Sequence, residues 1–131
     1  MITRALQDRE VAHRELTELL VVETMHERKA AMADMADAFV MLPGGFGTWE
    51  ELFEAVTWTQ LGIHAKPCGI LDVAGYFGPL VGMLDAAAAQ RFVRPEHREI
   101  LLLDDDAASL LDRLAAWHPS AIEKWLDRSE R

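Results

Sequence analysis

An α/β fold, with a parallel sheet covered by helices on both faces, is what this sequence predicts, and three observations carry it. Four short runs are dominated by apolar residues instead of alternating with polar ones: LLVVET (19–24), AFVML (38–42), CGILDV (68–73) and ILLLDD (100–105). A strand that is apolar on both faces is buried on both, as in parallel sheets. The segments between the runs have helical composition, which gives the strand–helix alternation of βαβ units. A glycine-rich turn, PGGFGT (43–48), then links the second strand directly to a helix.

The elements follow in order. MITRALQ reads as a strand fragment running into a helix, and ALQDREVAHREL (5–16) is polar and helix-compatible. After the strand 19–24, MHERKAAMADMA (25–36) contains no Gly or Pro, and Ala30, Ala33 and Ala36 with Met32 and Met35 form one small apolar face. After the strand 38–42, GTWEELFEAVTWTQLG (47–62) is a helix that buries Leu52, Phe53 and Val56 and stops at Gly62. Pro67 marks the start of the strand 68–73. FGPLVGMLDAAAAQ (77–90) is helical, with Pro79 tolerated in its first turn. RFVRPEHRE (91–99) is a basic connector, the strand 100–105 follows, and ASLLDRLAAW (108–117) is a helix. Pro119 separates it from a charged final helix, 120–130. The run 1–131 carries no repeat or linker and reads as a single domain.

Composition narrows the class. The chain has 131 residues, 50% of them hydrophobic, and a formal net charge of −9. An acidic protein is not drawn to nucleic acid or to anionic membranes, so neither is expected as a partner. The single cysteine, Cys68, cannot form an intrachain disulfide and suits a reducing cytoplasm. No apolar run approaches the ~18 residues of a membrane span, and residues 1–20 are too charged for a secretory signal.

The glycine turn is the strongest chemical signal. In open parallel sheets, ligands bind at the carboxyl ends of strands. Gly44, Gly45 and Gly47 permit positive φ and leave backbone N–H groups unshielded. The helix start adds orphan donors and a partial positive charge, so the turn predicts an anion pocket, most often for phosphate. It is neither GxGxxG nor a Walker loop. Thr48 and Glu51 have a structural alternative, a Thr-x-x-Glu capping box. Alternatively, the Glu51 carboxylate grips ribose hydroxyls or stabilises positive charge on a sugar. Glu50 and Glu54 are nearby competitors, Glu50 pointing roughly 100° away around the helix.

Arg28 and Lys29 stand in the first turn of their helix, where the macrodipole disfavours cations. An anion would compensate them; a solvated pair bridged to Glu27 or Asp34 is the alternative. His26 reads as a cap or packing residue. The two signals meet if strands 19–24 and 38–42 are neighbours. His13, His64, His97 and His118 lack metal-ligand spacing, and Cys68 heads a buried strand. Trp49, Trp58, Trp117 and Trp125 read as core or interface residues, and the run 104–106 as a helix cap.

MHERKAAM followed by PGGFGTWEE resembles the paired motifs MHxRKxxM and PGGxGTxxE of the LOG ("lonely guy") family, cytokinin riboside 5′-monophosphate phosphoribohydrolases once mislabelled lysine decarboxylases. Every fixed position matches, as does the 23-residue offset from Arg28 to Glu51, and the similarity continues through TWTQLGIHAKPCGILDVAGYFGPLVGMLD and FVRPEHREILLLDDD. The resemblance implies a Rossmann-like fold, a homodimer, and hydrolysis of the N-glycosidic bond of a nucleoside 5′-monophosphate. Products would be adenine or an N6-substituted adenine cytokinin, and ribose 5-phosphate. It also implies that Gly44, Gly45, Gly47 and Thr48 hold the 5′-phosphate, that Arg28 and Glu51 are the catalytic pair, and that Lys29 and Met25 line the nucleotide site. No metal or organic cofactor is implied. Family members begin with further strand–helix units that this sequence lacks, so it is expected to correspond to the carboxyl-terminal part of such an enzyme. Alternatives are a broader nucleoside monophosphate nucleosidase, a non-catalytic nucleotide or molybdenum-cofactor carrier, and an inactive fragment.

Overall fold

The computed structural model describes residues 1–7 and 16–119 and divides into two compact units, Met1–Ala36 and Asp37–Arg131. The predicted helix 5–16 lies largely outside the described residues, as do the helix 120–130, His13 and Trp125.

In the first unit, β1 (Ile2–Thr3) pairs in parallel with β2 (Val21–Val22), Ile2 opposite Val21 and Thr3 opposite Val22. The strand predicted over 19–24 is therefore only two residues long, because its ladder partner offers no more. The short helix α1 (Arg4–Gln7) follows β1, and Arg4 reaches Glu23 in a 2.7 Å exposed ion pair. Helix α2 (Met25–Met35) starts at Thr24, whose hydroxyl accepts the Glu27 N–H while the Glu27 carboxylate accepts the Thr24 N–H. This is a complete capping box. The expected apolar face of α2 is only partly buried: Ala33 is inside, Met32 and Ala36 are half-buried, and Ala30 and Met35 are exposed. Met32, Met35 and Ala36 line an apolar cleft of about 390 Å³ with Met1, Glu18 and Leu20.

The second unit is a three-stranded parallel sheet in the order β3 (Phe39–Met41), β4 (Cys68–Leu71), β5 (Leu101–Asp104). The register puts Phe39 opposite Cys68 and Cys68 opposite Leu101. Helix α3 (Phe46–Gln60) leads from β3 to β4; α4 (Gly78–Ala89) and the short α5 (Pro95–Arg98) lead from β4 to β5; α6 (Ala107–Ala116) closes the unit. Pro79 lies in the first turn of α4, as expected. The predicted connector 91–99 contains α5, and Arg98 binds it to its neighbours, donating to Asp85 of α4 at 2.9 Å and to the Leu101 carbonyl at 3.1 Å.

Alternation along β4 shows how both faces are covered. Cys68 and Ile70 join Met41, Leu52, Ala55, Phe77 and Leu101 in one core, against α3 and α4. Of the residues expected to anchor α3, Leu52 is buried and Phe53 and Val56 are half-buried; Ala55 and Thr59 complete the buried face. Gly69 points the other way, and a Cβ there would lie 3.0 Å from Leu110 Cδ1 and 3.3 Å from Leu114 Cδ1 of α6. The helix–sheet contact is therefore close because position 69 has no side chain. The turn after α3 is tied by Thr59, whose hydroxyl lies 2.9 Å from the Lys66 carbonyl and 3.2 Å from His64 Nδ1, while the His64 ring stacks on Phe39.

Gly69→Val overfills that contact. We expect it to destabilise the chain by about 1–3 kcal/mol, read as a lower urea midpoint; an unchanged midpoint would show that α6 does not bear on β4 here.

Candidate functional site

Parallel strands bring the chain out of every strand at one edge of the sheet, so the turns after β3, β4 and β5 gather there. The first is the glycine turn. Gly45 caps α3 with extended backbone (φ −100, ψ −153) and no side-chain hydrogen bond, and the first helical bond runs from the Trp49 N–H to the Gly45 carbonyl at 3.2 Å. The N–H groups of Phe46, Gly47 and Thr48 therefore precede the helical ladder and face outward as donors.

Two expectations about this turn are corrected. The capping box Thr48–Glu51 does not form, because the helix begins at Phe46 and its cap is Gly45. Thr48 is the third helical residue and Glu51 lies deeper still, so neither side chain is consumed by the cap. Nor do the glycines serve a left-handed turn: among the described residues positive φ at glycine occurs at Gly62 and Gly75. The demand is spatial. A Cβ on Gly44 would lie 3.0 Å from Thr48 Cβ and collide with the Thr48 hydroxyl. At Gly45 and Gly47 a Cβ would meet nothing within 4 Å, so the space over their amides is open to another molecule. Thr48 and Gly47 stand three and four residues before Glu51, which places all three on one face of α3. Glu51 is exposed, and the Cα–Cβ bond of a helical residue tilts toward the helix N-terminus, which here is the side of the turn. Glu50 is exposed and Glu54 half-buried. Phe46, 86% exposed, lies edge-on to Trp49, whose buried Nε1 has no acceptor among the described residues.

The turn after β4 supplies a residue the sequence did not flag. Tyr76 donates its hydroxyl to the Gly44 carbonyl at 2.8 Å. An isolated tyrosine 32 residues away carries no sequence signal for that contact, which exists only because β3 and β4 are adjacent.

Met25, Arg28 and Lys29 belong to the Met1–Ala36 unit, at the start of α2. Thr24, and not His26, is the cap, and Glu27 serves the capping box, so a carboxylate already occupies the positive end of the helix dipole. The two cations are thus less anomalous than their sequence position suggests. Arg28 is half-buried; its Nη1 lies 4.0 Å from Met25 Sδ, and its Nε is shielded from solvent with no acceptor among the described residues. A shielded guanidinium donor without a partner is costly unless an acceptor arrives. The predicted site residues therefore form two groups, Gly44, Gly45, Gly47, Thr48 and Glu51 on one junction and Met25, Arg28 and Lys29 on another.

Other candidates are structural. Burial pushes the Cys68 thiol up to about 12, away from any role as a nucleophile. His64 and His97 are both pushed below the ordinary histidine value by burial, then by Lys66 and Arg94 respectively. The described residues hold no cluster of three or more His, Cys, Asp or Glu able to bind a metal. Asp106 caps α6, accepting the Ser109 N–H at 2.8 Å, as expected for the run 104–106.

The fold and the junction define a parallel α/β protein with an open glycine turn at the carboxyl edge of its sheet. A family model described as "Possible lysine decarboxylase" matches residues 1–114. The chain belongs to that family, the LOG family. It is similar to the probable cytokinin riboside 5'-monophosphate phosphoribohydrolases LOGL2 and LOGL1 of Oryza sativa subsp. japonica. Identity is 44% over 119 residues (91% of this chain, 49% of the relative) for the first and 46% over 123 residues (94% and 55%) for the second. Similarity to the cytokinin riboside 5'-monophosphate phosphoribohydrolase LOG5 of Arabidopsis thaliana is 44% over 119 residues, covering 91% of this chain and 52% of the relative. The chain spans about half the length of the curated relatives it matches. Among the described residues no helix is long and apolar enough to cross a membrane.

The third edge turn is held electrostatically. Asp104 accepts from the Ser109 hydroxyl at 2.7 Å, the Asp106 N–H at 3.1 Å and Arg113 at 3.0 Å. These bonds, the Ser109 one foremost, hold its carboxyl down from 3.8 to about 2. A depressed carboxyl pKa stabilises the fold above its unfolded value and loses that effect as pH falls through the folded value. Parent and Asp104→Asn chains should therefore differ in urea stability above pH 3.8 and converge as the pH approaches about 2; a gap independent of pH would refute this account.

Proposed function

We propose that this chain hydrolyses the N-glycosidic bond of adenosine 5′-monophosphates, including N6-substituted ones, releasing free adenine or cytokinin base and ribose 5-phosphate. The observation that carries the reading is the open glycine turn with Glu51 on the same helix face. Bare amides at Gly45 and Gly47, the Phe46 and Thr48 N–H groups and the Thr48 hydroxyl receive the 5′-phosphate, while Gly44 gives Thr48 room. Glu51 follows Gly45 by about 9 Å of helix axis, and its backward tilt brings the carboxylate toward a sugar whose phosphate sits in the turn. The names of the relatives support the same reaction class.

Departure of a purine from ribose passes through a cation-like sugar, as in glycoside hydrolysis. A carboxylate beside that sugar stabilises the developing charge, holds the ribose hydroxyls or orients the attacking water. Arg28, permanently charged, anchors substrate better than it gives up a proton, and its Nε, without an acceptor among the described residues, is suited to an incoming one. Lys29 and Met25 line the nucleotide beside it. Because the phosphate is remote from the bond that breaks, its binding energy positions the sugar instead of being spent on affinity alone. In this reading residues 1–131 act as one Rossmann-like nucleotide-binding domain, in a reducing cytoplasm where the buried Cys68 stays a thiol. The family resemblance adds a homodimer to this reading.

Incubation of the chain with AMP and with isopentenyladenosine monophosphate, followed by chromatography, should show released base. Glu51→Gln should lower the rate roughly a hundredfold or more, and equal rates would remove Glu51 from the chemistry. Tight nucleotide binding without release would instead indicate a carrier. Light scattering should give twice the mass of one chain; a single-chain mass would exclude the homodimer.

A further inference from the structure

We propose that Tyr76 is a positioning residue for the phosphate turn: its hydroxyl, held on the Gly44 carbonyl, sets the turn's geometry and so strengthens binding of the substrate's phosphate. The inference rests on the phosphate-binding reading above.

The carbonyl of Gly44 shares a peptide unit with the Gly45 N–H, at the cap of α3. A carbonyl oxygen beside an anion site repels the anion unless a donor engages it. The Tyr76 hydroxyl does so at 2.8 Å, fixing the plane of that peptide. A hydrogen bond to a peptide carbonyl also polarises the amide, so the Gly45 N–H becomes a stronger donor toward a ligand. Donors fixed in advance need no reorganisation when charge arrives.

The residues before and after Tyr76 are arranged to hold it there. The Asp72 N–H donates to the Asp104 carbonyl at 2.8 Å, tying the turn to β5. The Asp72 carboxylate accepts the Phe77 N–H at 2.8 Å, closing residues 72–77 into a loop. Ala74 and Gly75 are consecutive left-handed residues (φ 56 and 73), a conformation that costs a residue with a Cβ about 1–2 kcal/mol. Phe77 is buried in the core, and the Tyr76 ring lies edge-on to it with centroids 4.8 Å apart. Tyr76 itself is 47% exposed. Burial does not force its hydroxyl to find a protein partner, since water would serve. The loop geometry takes it to Gly44.

The test compares the parent chain with Tyr76→Phe, which keeps the ring and its contact with Phe77. For AMP we expect KM to rise about three- to tenfold, the effect of one net hydrogen bond, with kcat within about twofold. Cleavage of adenosine, which has no phosphate, and the melting temperature should stay unchanged. Equal losses on AMP and adenosine, or a fall in melting temperature that accounts for the change, would reduce Tyr76 to general support and overturn the proposal. An unchanged KM for AMP would also overturn it.

Calorimetry with ribose 5-phosphate separates this inference from the catalytic one. Weaker binding by Tyr76→Phe than by the parent supports it even if no base is released from AMP. Equal binding overturns it even if AMP is cleaved. A parent chain that binds no ribose 5-phosphate overturns both.

Discussion

Burial of β4 on both faces is the constraint from which the Asp37–Arg131 unit follows. Cys68 and Ile70 are sealed against α3 and α4, and Gly69 lets α6 approach the opposite face. A strand enclosed in this way cannot slip by one residue, because a slip would exchange its two faces. It would drive Cys68 and Ile70 toward α6, where only a hydrogen fits. The parallel register to β3 and β5 is thereby set, and with it the edge at which the turns gather.

That edge is bound together by side chains and backbone from three separate turns. Asp72 bonds to the Asp104 carbonyl, Asp104 gathers Ser109 and Arg113, and Tyr76 reaches the glycine turn. Hydrogen bonds between turns are what convert a set of surface loops into one connected edge. Flexible glycines would otherwise be a poor scaffold, since they lose more conformational freedom on ordering than other residues. Here the freedom of Gly44 is removed by its neighbours Thr48 and Tyr76, while Gly45 and Gly47 keep open space above them.

Much of this was legible in the residues, and the misses have definite causes. The apolar runs located three strands of the larger sheet, but 19–24 shrank to Val21–Val22 because strand length depends on a partner. The same Thr-x-x-Glu pattern occurs twice. At 48–51 it admits a capping box and forms none, since the helix starts earlier; at 24–27 it forms a complete one. Local pattern cannot distinguish the two, because the helix start at Phe46 follows from where β3 delivers the chain. At the three glycines the unshielded amides expected from the sequence agree with the open space over Gly45 and Gly47, whereas the permitted positive φ is not used and Gly44 is required by the close approach of Thr48. Helix α5 was hidden in a stretch that reads as a basic connector, because four residues are too few for periodicity to show.

The sequence by itself determined the class of fold, the alternation of strand and helix, and the identity of the residues at both motifs. It did so because apolar runs, glycines and charges are local properties of the chain. Only the tertiary structure decided that α3 opens at Phe46, that Glu51 is left free of the cap, and that Tyr76 stands on Gly44. Each of those depends on which strands lie side by side. That adjacency is a property of the packed sheet and is written in no single stretch of residues.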